Sequence, residues 1–380
     1  MLKVSDILGF INKIAPPDLA ESWDNPGLQV GNPVGEVNRI MVALDPSPPV
    51  IEAAITSHCN LLVTHHPLIF KPLSSISTAT PHGKTIHDAI KNKLSIIALH
   101  TNYDIAEGGL NDVLAQKIGL FSCLPLQTTS TQQLIKLVIY VPTDHLHKVR
   151  GAMLPFAEKI GKYSDCSFAA DGQGTFTPLS GAAPFIGSEG VLEQVAEERL
   201  ELLVDRAVLS RALKKLHLSH PYEEPAFDIY PLLNEGRSLG LGRIGRLSSS
   251  LPLAAYAARL ATILRAPGLR YVGEPATMIT KVALCSGSGA SLIKAAKRAG
   301  ADLLITGDLK YHEARDAEDL GMAVIDAGHF PTEIIMVDAV AGQLKRMISE
   351  SGDGDCEVMQ CDSERDPFQF CSQKIYSSDI

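Results

Sequence analysis

Apolar and polar positions along most of the chain follow two patterns: short apolar runs, and longer stretches in which apolar residues have helical spacing. From Val37, an apolar run (residues 39–45) is followed by a helix-like stretch (50–58) and a second apolar run (60–66). Short apolar runs rich in β-branched residues are typical of buried strands, and apolar residues three and four apart are typical of helices. The segment therefore predicts a strand–helix–strand unit.

A second segment, from Ile279, repeats this succession. In both segments a further helix-like stretch and a third apolar run follow. The matching apolar runs are residues 39–45, 60–66 and 93–99 in the first segment and 281–287, 301–308 and 321–328 in the second. Strands that alternate with helices predict largely parallel sheets, with binding groups at the carboxyl ends of the strands. We therefore predict an α/β fold in which two similar halves form one core.

The middle of the chain has a different pattern. It predicts a strand, a helix from about Asp144, a glycine-rich hairpin region, another strand and helix, and a last strand at residues 226–232. This order is typical of a ferredoxin-like α+β domain. A glycine-rich linker, residues 234–247, then leads back to the core. The predicted domains are the first half of the core (1–129), the inserted domain (130–234) and the second half with a C-terminal tail (235–380).

Side chains that can bind metals follow the predicted strands of both halves. They are His65, His66, His100 and Asp104 in the first half, and Asp308, His329 and Glu333 in the second. Pro331 is typical of the first helical position, so we place His329 in the preceding loop and Glu333 in the first helical turn. Imidazole and carboxylate ligands together suit Zn, Fe, Mn, Co or Ni, whereas an all-oxygen set would suit Mg or Ca. The pattern predicts a transition-metal site.

The adjacent histidines also have a simpler interpretation. An isolated pair such as His65 and His66 is typical of a turn with ordinary hydrogen bonds. Two segments that place histidines and acids at equivalent strand ends favour a shared metal site instead. Three histidines and two carboxylates exceed what one catalytic zinc with an open position takes, and two ions about 3.5 to 4 Å apart would use them. We therefore predict two divalent transition-metal ions per chain.

Composition narrows the class of protein. The 380 residues carry a formal net charge of −9, which argues against a generic nucleic-acid binder. No apolar run is long enough to span a bilayer, and the N-terminal stretch predicts an amphipathic helix rather than a signal peptide. The seven cysteines form no Cys-x-x-Cys pair, which favours a reducing, cytoplasmic location. Cys356, Cys361 and Cys371 cluster near the C-terminus but lack the spacing of a tetrahedral thiol site.

Five motifs carry a resemblance to a known family. They are WDNPGLQVG (23–31), THHPLIF (64–70), HTNYD (100–104), GADLLITGD (300–308) and DAGHFPTE (326–333). These motifs resemble the Nif-three-like family, a cytoplasmic group often labelled GTP cyclohydrolase I type 2 homologs. The resemblance implies a dinuclear metal site, whose ligands fall on His65, His66, Asp104, His329 and Glu333. It leaves His100, Asp308 and His312 as residues that support the ligands or face the substrate.

The insertion resembles that of the family's long bacterial subgroup, in which a domain similar to the PII and CutA signal proteins interrupts the core. The shared segment is HPYEEP (220–225), where His220, Tyr222, Glu223 and Glu224 form either a second ligand site or a solvated turn before a strand. The resemblance further implies a toroidal homohexamer, a trimer of dimers. It also implies that the tail segment DPFQF (366–370) packs as an added strand.

The predicted function is metal-dependent hydrolysis. Two ions would activate a water for attack on a nucleotide or phosphoester, as in a GTP cyclohydrolase, with His100 and His312 as proton shuttles or supporting residues. The chain has no G-x-x-x-x-G-K-[ST] loop, and CSGSGAS (285–291) is either a phosphate-binding helix start or a tight turn. The alternative function is non-catalytic metal storage, metal delivery or effector sensing.

Overall fold

The computed structural model describes residues 1–352 and 355–370, so Cys371 lies outside the described residues. The strands are β1 (Leu2–Lys3), β2 (Gly27–Val30), β3 (Glu36–Val37), β4 (Arg39–Ala43), β5 (Leu61–Thr64), β6 (Ser95–Ala98), β7 (Phe121–Thr131), β8 (Leu134–Pro142), β9 (Ser167–Phe176), β10 (Glu193–Asp205), β11 (Phe227–Pro231), β12 (Ser238–Pro252), β13 (Arg270–Val272), β14 (Met278–Ser288), β15 (Leu303–Gly307), β16 (Ala323–Asp326) and β17 (Glu357–Gln360). The α-helices are α1 (Val4–Ile14), α2 (Pro48–Thr56), α3 (Pro81–Lys91), α4 (Thr101–Ile105), α5 (Leu110–Lys117), α6 (Leu146–Met153), α7 (Leu209–Ser219), α8 (Leu253–Ile263), α9 (Ile293–Arg298), α10 (Tyr311–Asp319), α11 (His329–Glu333) and α12 (Ile335–Ser351). The α/β class is confirmed.

The described chain forms two compact units. The core unit contains residues 1–129 and the described residues from 239 onward, and the inserted unit contains residues 130–238. The inserted unit ends later than the predicted boundary at 234, because Arg237 still contacts it. The backbone oxygen of Arg237 accepts from Gln132 N at 2.9 Å, and its guanidinium lies 3.1 Å from Glu158 Oε2.

The first sheet of the core has parallel strands at its centre. Within the described residues the order is β17-β4-β5-β6-β2, in which β17, β4, β5 and β6 are parallel and β2 is antiparallel to β6. All residues of β5 and β6 are buried, because helices and loops cover both faces of the sheet. The carboxyl ends of β4, β5 and β6 therefore meet at one edge, and Asp45, His65 and His100 follow within two residues of these ends.

The second sheet has a similar parallel centre. Its order among the described residues is β13-β16-β15-β14-β12-β7, with β14, β15 and β16 parallel and with β13 and β12 antiparallel at their pairings. The succession of strand and helix from β14 to α12 matches that from β4 to α5. The carboxyl ends of β15 and β16 lead into Asp308 and His329.

Helices α12 and α5 each pack on the sheet formed by the other segment of the core unit. The buried face of α12 includes Val337, Val340 and Leu344, which pack in the apolar core of the first sheet with Ile40 and Leu61. In return, α5 packs in the core of the second sheet. Removal of one such side chain, as in Leu344→Ala, costs about 2 to 5 kcal/mol. This exchange of helices holds the two carboxyl edges together and so positions the residues between them.

The inserted unit contains an antiparallel sheet and two helices. Its strand order is β11-β8-β10-β9, and all neighbouring strands are antiparallel. Helix α6 connects β8 to β9, and α7 connects β10 to β11. Apolar residues of both helices, such as Val149 and Leu216, share one core with the inner face of β8 and β10.

Three local predictions are wrong. Much of the predicted linker belongs to strand β12, where Gly240, Gly242 and Gly245 permit close approach because a Cβ atom would collide with neighbouring groups of the sheet. Helix α11 begins at His329, so Pro331 is its third residue rather than its first. The added strand near the C-terminus is β17, whereas residues 366–370 have no regular structure.

The described cysteines of the C-terminal cluster lie in separate environments. Cys356 packs against the core on one face of the first sheet, and Cys361 is buried in the core on the other face. This arrangement does not support a thiol metal site. None of the helices within the described residues is long and apolar enough to cross a membrane.

Candidate metal centre

The carboxyl edges of the two sheets bring the five predicted ligands together. The closest atoms are around Glu333, whose Oε2 lies 2.9 Å from His329 Nε2 and 3.2 Å from His66 Nε2. Glu333 Oε1 lies 3.8 Å from His65 Nε2, which in turn lies 3.8 Å from Asp104 Oδ1. Two ligands about 2.1 Å from one ion lie roughly 3 to 3.5 Å apart, so these separations are close to those of a metal site.

Three histidines have one ring nitrogen bound to an acceptor. His65 Nδ1 donates to the backbone oxygen of Leu99 at 2.8 Å, and His66 Nδ1 donates to Asp45 Oδ1 at 2.7 Å. His329 Nδ1 donates to Asp308 Oδ2 at 2.7 Å. Such partners place the proton on Nδ1 and leave the Nε2 lone pair free in the neutral ring, as in histidines that bind metals.

Two buried atoms of this cluster have no hydrogen-bond partner. They are His65 Nε2 and Glu333 Oε2. The His65 side chain is completely buried, and Glu333 is 4% exposed, so water does not solvate these atoms. A buried lone pair without a donor costs about 1 to 3 kcal/mol. A bound cation would satisfy both atoms, and this set of donors therefore fits a divalent metal.

The electrostatics of the cluster also favour a cation. Burial and the Glu333 carboxylate raise the pKa of Asp104 well above its usual range. Burial opposes protonation of His66, but the carboxylates of Asp45 and Glu333 raise its pKa to about 10. Glu333 and Asp308 raise the pKa of His329 to about 9 against the effect of burial. Without a metal, protonated His66 and His329 would donate their Nε2–H groups to Glu333 Oε2 and supply the positive charge that the carboxylates require. Glu333 Oε2 thus lacks a partner when the two rings are neutral, whereas neutral His65 leaves its Nε2 without a partner throughout.

The backbone around the cluster leaves room for its side chains. Gly287 has a positive φ of 56°, and a Cβ atom at this position would collide with Glu333 Oε1. Asp308 also has a positive φ of 56°, a conformation that aspartate tolerates better than most residues. In this conformation the Asp308 carboxylate accepts the hydrogen bond from His329 Nδ1. His329 and Glu333 lie one helical turn apart on α11, so their side chains are on the same face.

A family model covers almost the whole chain. Residues 2–367 match the model described as Duf34/NIF3 (NGG1p interacting factor 3). The chain belongs to the NIF3 family. The predicted family resemblance is thereby confirmed.

Relatives of the chain align with it over nearly their full length. A protein of Halalkalibacterium halodurans named "GTP cyclohydrolase 1 type 2 homolog" is 41% identical over 365 residues, which cover 96% of this chain and 98% of that protein. A Bacillus subtilis protein of the same name is 39% identical and covers 96% and 97%. The crystal structure of a Bacillus cereus protein related to NIF3 has a TM-score of 0.89 and 37% identity, and the match covers 97% of this chain and 99% of that one.

His100 lies beside the ligands, whereas His312 does not. A ring nitrogen of His100 lies within 4.8 Å of ring nitrogens of His65 and His66. Its Nδ1 donates to Asp24 Oδ1 at 2.7 Å. His312 is exposed on α10, where its ring contacts Tyr311, and the structure described here gives it no place in the cluster. A role for His312 as a proton shuttle at this NIF3 centre has no support from its position.

Sequence reasoning missed several residues that orient the predicted ligands. Asp45 lies two residues after the end of β4, so the rule that found His65 after β5 would also have found Asp45. Asp24, in the WDNPG motif, is completely buried at its side chain. Burial opposes its ionisation, but hydrogen bonds from His100 and Thr101 lower its pKa to about 2. Asp24 is therefore ionised and fixes the orientation of His100.

Asp104 is held from both halves of the core. Ser286 Oγ donates to Asp104 Oδ1 at 3.3 Å, and the buried side chain of Asn111 donates to the backbone oxygen of Asp104 at 3.0 Å. Asn111 Oδ1 also accepts from Ser286 N at 2.9 Å. Asn111 belongs to the GGLND segment after HTNYD, but nothing in its spacing showed this role in advance.

A cavity opens beside the cluster within the core unit. Its volume is about 610 Å³, and it is lined by His66, His329, Asp45 and Asp308 on the side of the cluster. The apolar wall contains Phe330, Phe368 and Phe370. The cavity is large enough for a small organic molecule next to the candidate ligands.

Proposed function

We propose that this chain is a divalent-metal-dependent hydrolase that acts on a nucleotide or phosphoester. The observation that carries the proposal is the set of buried nitrogen and oxygen ligand atoms around Glu333, among which His65 Nε2 is completely buried and has no hydrogen-bond partner. Such a set has a high energetic cost unless a cation occupies it. The GTP cyclohydrolase name of the relatives is compatible with a nucleotide substrate.

We assign the donors to two metal positions that share Glu333. His66, His329 and Glu333 Oε2 would hold one ion, since their ligand atoms lie within 4.8 Å of one another. His65, Asp104 and Glu333 Oε1 would hold the second. Bound divalent transition metals supply Lewis acidity and activate water near neutral pH. The donor set accepts Zn, Fe, Mn, Co or Ni.

Residues around the ligands have supporting roles in this proposal. Asp45 and Asp308 keep the protons of His66 and His329 on Nδ1, so that Nε2 is available as a ligand atom. Asp24 does the same for His100, whose Nε2 can then accept a proton from the reacting water or return it to the leaving group. The neighbouring aromatic wall excludes water from one side of the reacting molecule.

The test combines metal analysis with a substrate screen. We expect the purified protein, loaded with one metal at a time, to bind about two ions per chain and to hydrolyse GTP, another nucleoside triphosphate or bis(p-nitrophenyl) phosphate. Asp104→Asn should lose at least one ion and the turnover, because the amide cannot supply the carboxylate charge. Asp88→Asn is the matched control and should behave as the wild type, because Asp88 lies on α3, outside the cluster, in an ion pair with Lys84.

Two outcomes would contradict the proposal. If the Asp104→Asn variant retains both ions and full turnover, the assigned centre is wrong. If two ions bind, no substrate turns over, and the ions pass to a metal-free acceptor protein, the chain is a metal carrier instead.

We also propose that the core consists of two similar halves and that residues 130–238 are a ferredoxin-like domain of the PII/CutA kind. The matching order of strands and helices in the two core sheets supports the first statement. The strand order β11-β8-β10-β9, with a helix after β8 and another after β10, supports the second. The cytoplasmic location and the hexamer stay predictions from the resemblance, and native mass spectrometry would test the hexamer.

A further inference from the structure

The inserted unit contains its own cavity, which the proposed hydrolase reaction does not use. Its volume is about 700 Å³, and strands β9 and β10 form part of its wall. The loop after β9 and the segment that begins at Tyr222 complete it. Tyr222, Glu223 and Glu224 of the HPYEEP segment line the cavity, so this segment is more than a solvated turn before a strand.

His220 holds this segment in place and is not itself in the cavity wall. Its Nε2 donates to the backbone oxygen of Tyr140 at 3.0 Å, and its Nδ1 accepts from the backbone nitrogen of Tyr222 at 3.1 Å. Both ring nitrogens are therefore satisfied. The role of His220 is to fix the backbone that carries Tyr222.

Aromatic rings form the apolar part of the cavity. The rings of Phe176 and Phe185 lie 5.8 Å and 6.4 Å from the ring of Tyr222. Tyr222 donates its hydroxyl to Glu197 Oε1 at 2.9 Å, and Tyr140 donates its hydroxyl to Asp228 Oδ2 at 2.9 Å. Hydrogen bonds to carboxylates increase the electron density of both phenol rings, and electron-rich ring faces attract cations.

The charges of the cavity wall also favour a cation. Four carboxylates line the cavity, those of Asp171, Glu197, Glu223 and Glu224. Among the lining residues that the structure describes, the one basic side chain is Arg199, which forms an ion pair with Glu201 outside the cavity at 3.0 Å. A phosphate or a nucleotide would meet net negative charge here, whereas a positively charged group would be attracted.

We propose that this cavity binds an organic cation, with the positive group against the rings of Tyr222 and Phe176 and beside Glu197. Aromatic rings with adjacent carboxylates are the chemistry that recognises quaternary ammonium groups and protonated amines. The wall has enough apolar surface for an alkyl or aryl substituent on the cation. The site thus differs in ligand class from the metal centre, which would take an anionic substrate.

The test uses the full-length protein and a pair of probes that differ only in charge. Choline and its neutral isostere 3,3-dimethylbutan-1-ol are titrated by calorimetry and by ligand-observed NMR, and benzyltrimethylammonium replaces choline in a second series. We expect saturable binding of the cations, about tenfold tighter than that of the neutral isostere. Loading the metal centre should not change this binding.

Variants on two strands localise the bound cation. Glu197→Gln and Phe176→Leu should each weaken choline binding about fivefold to tenfold. Their matched controls are Glu235→Gln, an exposed residue after β11, and Phe168→Leu on β9. Both lie in the inserted unit outside the cavity wall, and these variants should bind as the wild type. Circular dichroism and the melting temperature verify that each variant is folded.

Three results would overturn the proposal. The first is equal binding of choline and its neutral isostere, because the cavity would then be merely apolar. The second is tighter binding of ATP or inorganic phosphate that depends on Glu197 or Phe176. The third is choline binding that disappears in Glu333→Gln but not in Glu197→Gln, which would place the cation at the metal centre.

Discussion

Two buried histidines, His65 in the core and His220 in the inserted unit, show how the same side chain takes different roles. Each donates a ring N–H to a backbone oxygen, that of Leu99 for His65 and that of Tyr140 for His220. The second nitrogen of His220 accepts a hydrogen bond from Tyr222 N. The second nitrogen of His65 is buried and has no hydrogen-bond partner.

The pKa changes of these histidines do not separate the two roles. Burial lowers the pKa of His65 to about 3 and also lowers the pKa of His220. Both rings are therefore neutral at physiological pH, and each has one lone pair. The two histidines differ in the group that faces this lone pair. A backbone N–H lies opposite that lone pair in His220, which has a structural role, whereas the carboxylates of Asp104 and Glu333 lie opposite it in His65, each at 3.8 Å, where the proposed cation would bind.

The comparison predicts opposite results for the same substitution at the two positions. His65→Gln should lower metal affinity on the order of 100-fold or more, because it removes a ligand atom. His220→Gln should retain all bound metal and lose about 1 to 2 kcal/mol of unfolding free energy, because the Tyr140 oxygen or the Tyr222 nitrogen loses its partner. Elemental analysis and chemical denaturation measure the two effects. Full metal occupancy in His65→Gln would show that His65 is not a metal ligand and that the two histidines do not differ in role.

A smaller effect is expected where the ligand remains but its supporting carboxylate changes. Asp45→Asn keeps a hydrogen-bond acceptor for His66 Nδ1 but removes the charge that makes Nε2 basic. We expect metal affinity to fall about 10-fold to 100-fold. Competition with a chromogenic chelator measures the affinity, and Asp88→Asn is the control. An unchanged metal affinity would show that the charge of Asp45 does not affect metal binding by His66.

The pH dependence of metal binding should show the protons that the metal replaces. His66 and His329 have pKa values raised to about 10 and 9 in the metal-free protein, so both are protonated near pH 7. Metal affinity should therefore rise with pH, about tenfold per pH unit for each proton displaced, until the pH passes 9 to 10. Calorimetry in buffers with different ionisation enthalpies counts the released protons. An affinity that is constant between pH 6 and 9 would contradict this mechanism.

The same protons affect the stability of the metal-free protein. A folded pKa above the unfolded value near 6.5 stabilises the fold fully below pH 6.5, and this contribution is lost as the pH rises through 9 to 10. The metal-free protein should accordingly lose stability between pH 6.5 and 10. The metal-loaded protein should lose less, since the ion has replaced the protons.

The smallest expected effect is a change in fluorescence. Trp23 is the one tryptophan of the sequence and is 56% exposed, and its ring centroid lies 6.0 Å from that of His100. Loading with Cu²⁺ or Ni²⁺ should partly quench its emission, whereas closed-shell Zn²⁺ should not. The quenching should disappear in His65→Gln and persist in His220→Gln. Quenching that is equal in both variants would place the ion away from the cluster.

The sequence was most informative where a residue lies at the end of a strand. His65, His66, Asp308 and His329 follow apolar runs, and the carboxyl ends of parallel strands meet at one edge. The approach of the residues within each sheet was therefore predictable from the pattern, whereas the meeting of the two edges depends on helices α5 and α12. The partners Asn111 and Ser286 were not, because their contact depends on how α5 packs on the second sheet.

Two errors have simple physical reasons. A proline is tolerated throughout the first helical turn, since none of the first N–H groups has a partner within the helix. Pro331 therefore did not fix the start of α11. Glycine-rich segments are typical of linkers, but in β12 glycine is needed where neighbouring backbone approaches closely, so composition alone could not separate the two cases.

The chain leaves the core along β7 and returns along β12, and these strands are neighbours in the second sheet. Thr129 Oγ1 donates to the backbone oxygen of Leu239 at 3.5 Å, so the two points of departure and return are adjacent. Residues 130–238 thus occupy the place that a hairpin turn takes between neighbouring antiparallel strands. In evolutionary terms, a gene could gain or lose this whole segment at a single site without changing the sheet whose carboxyl edge carries Asp308 and His329.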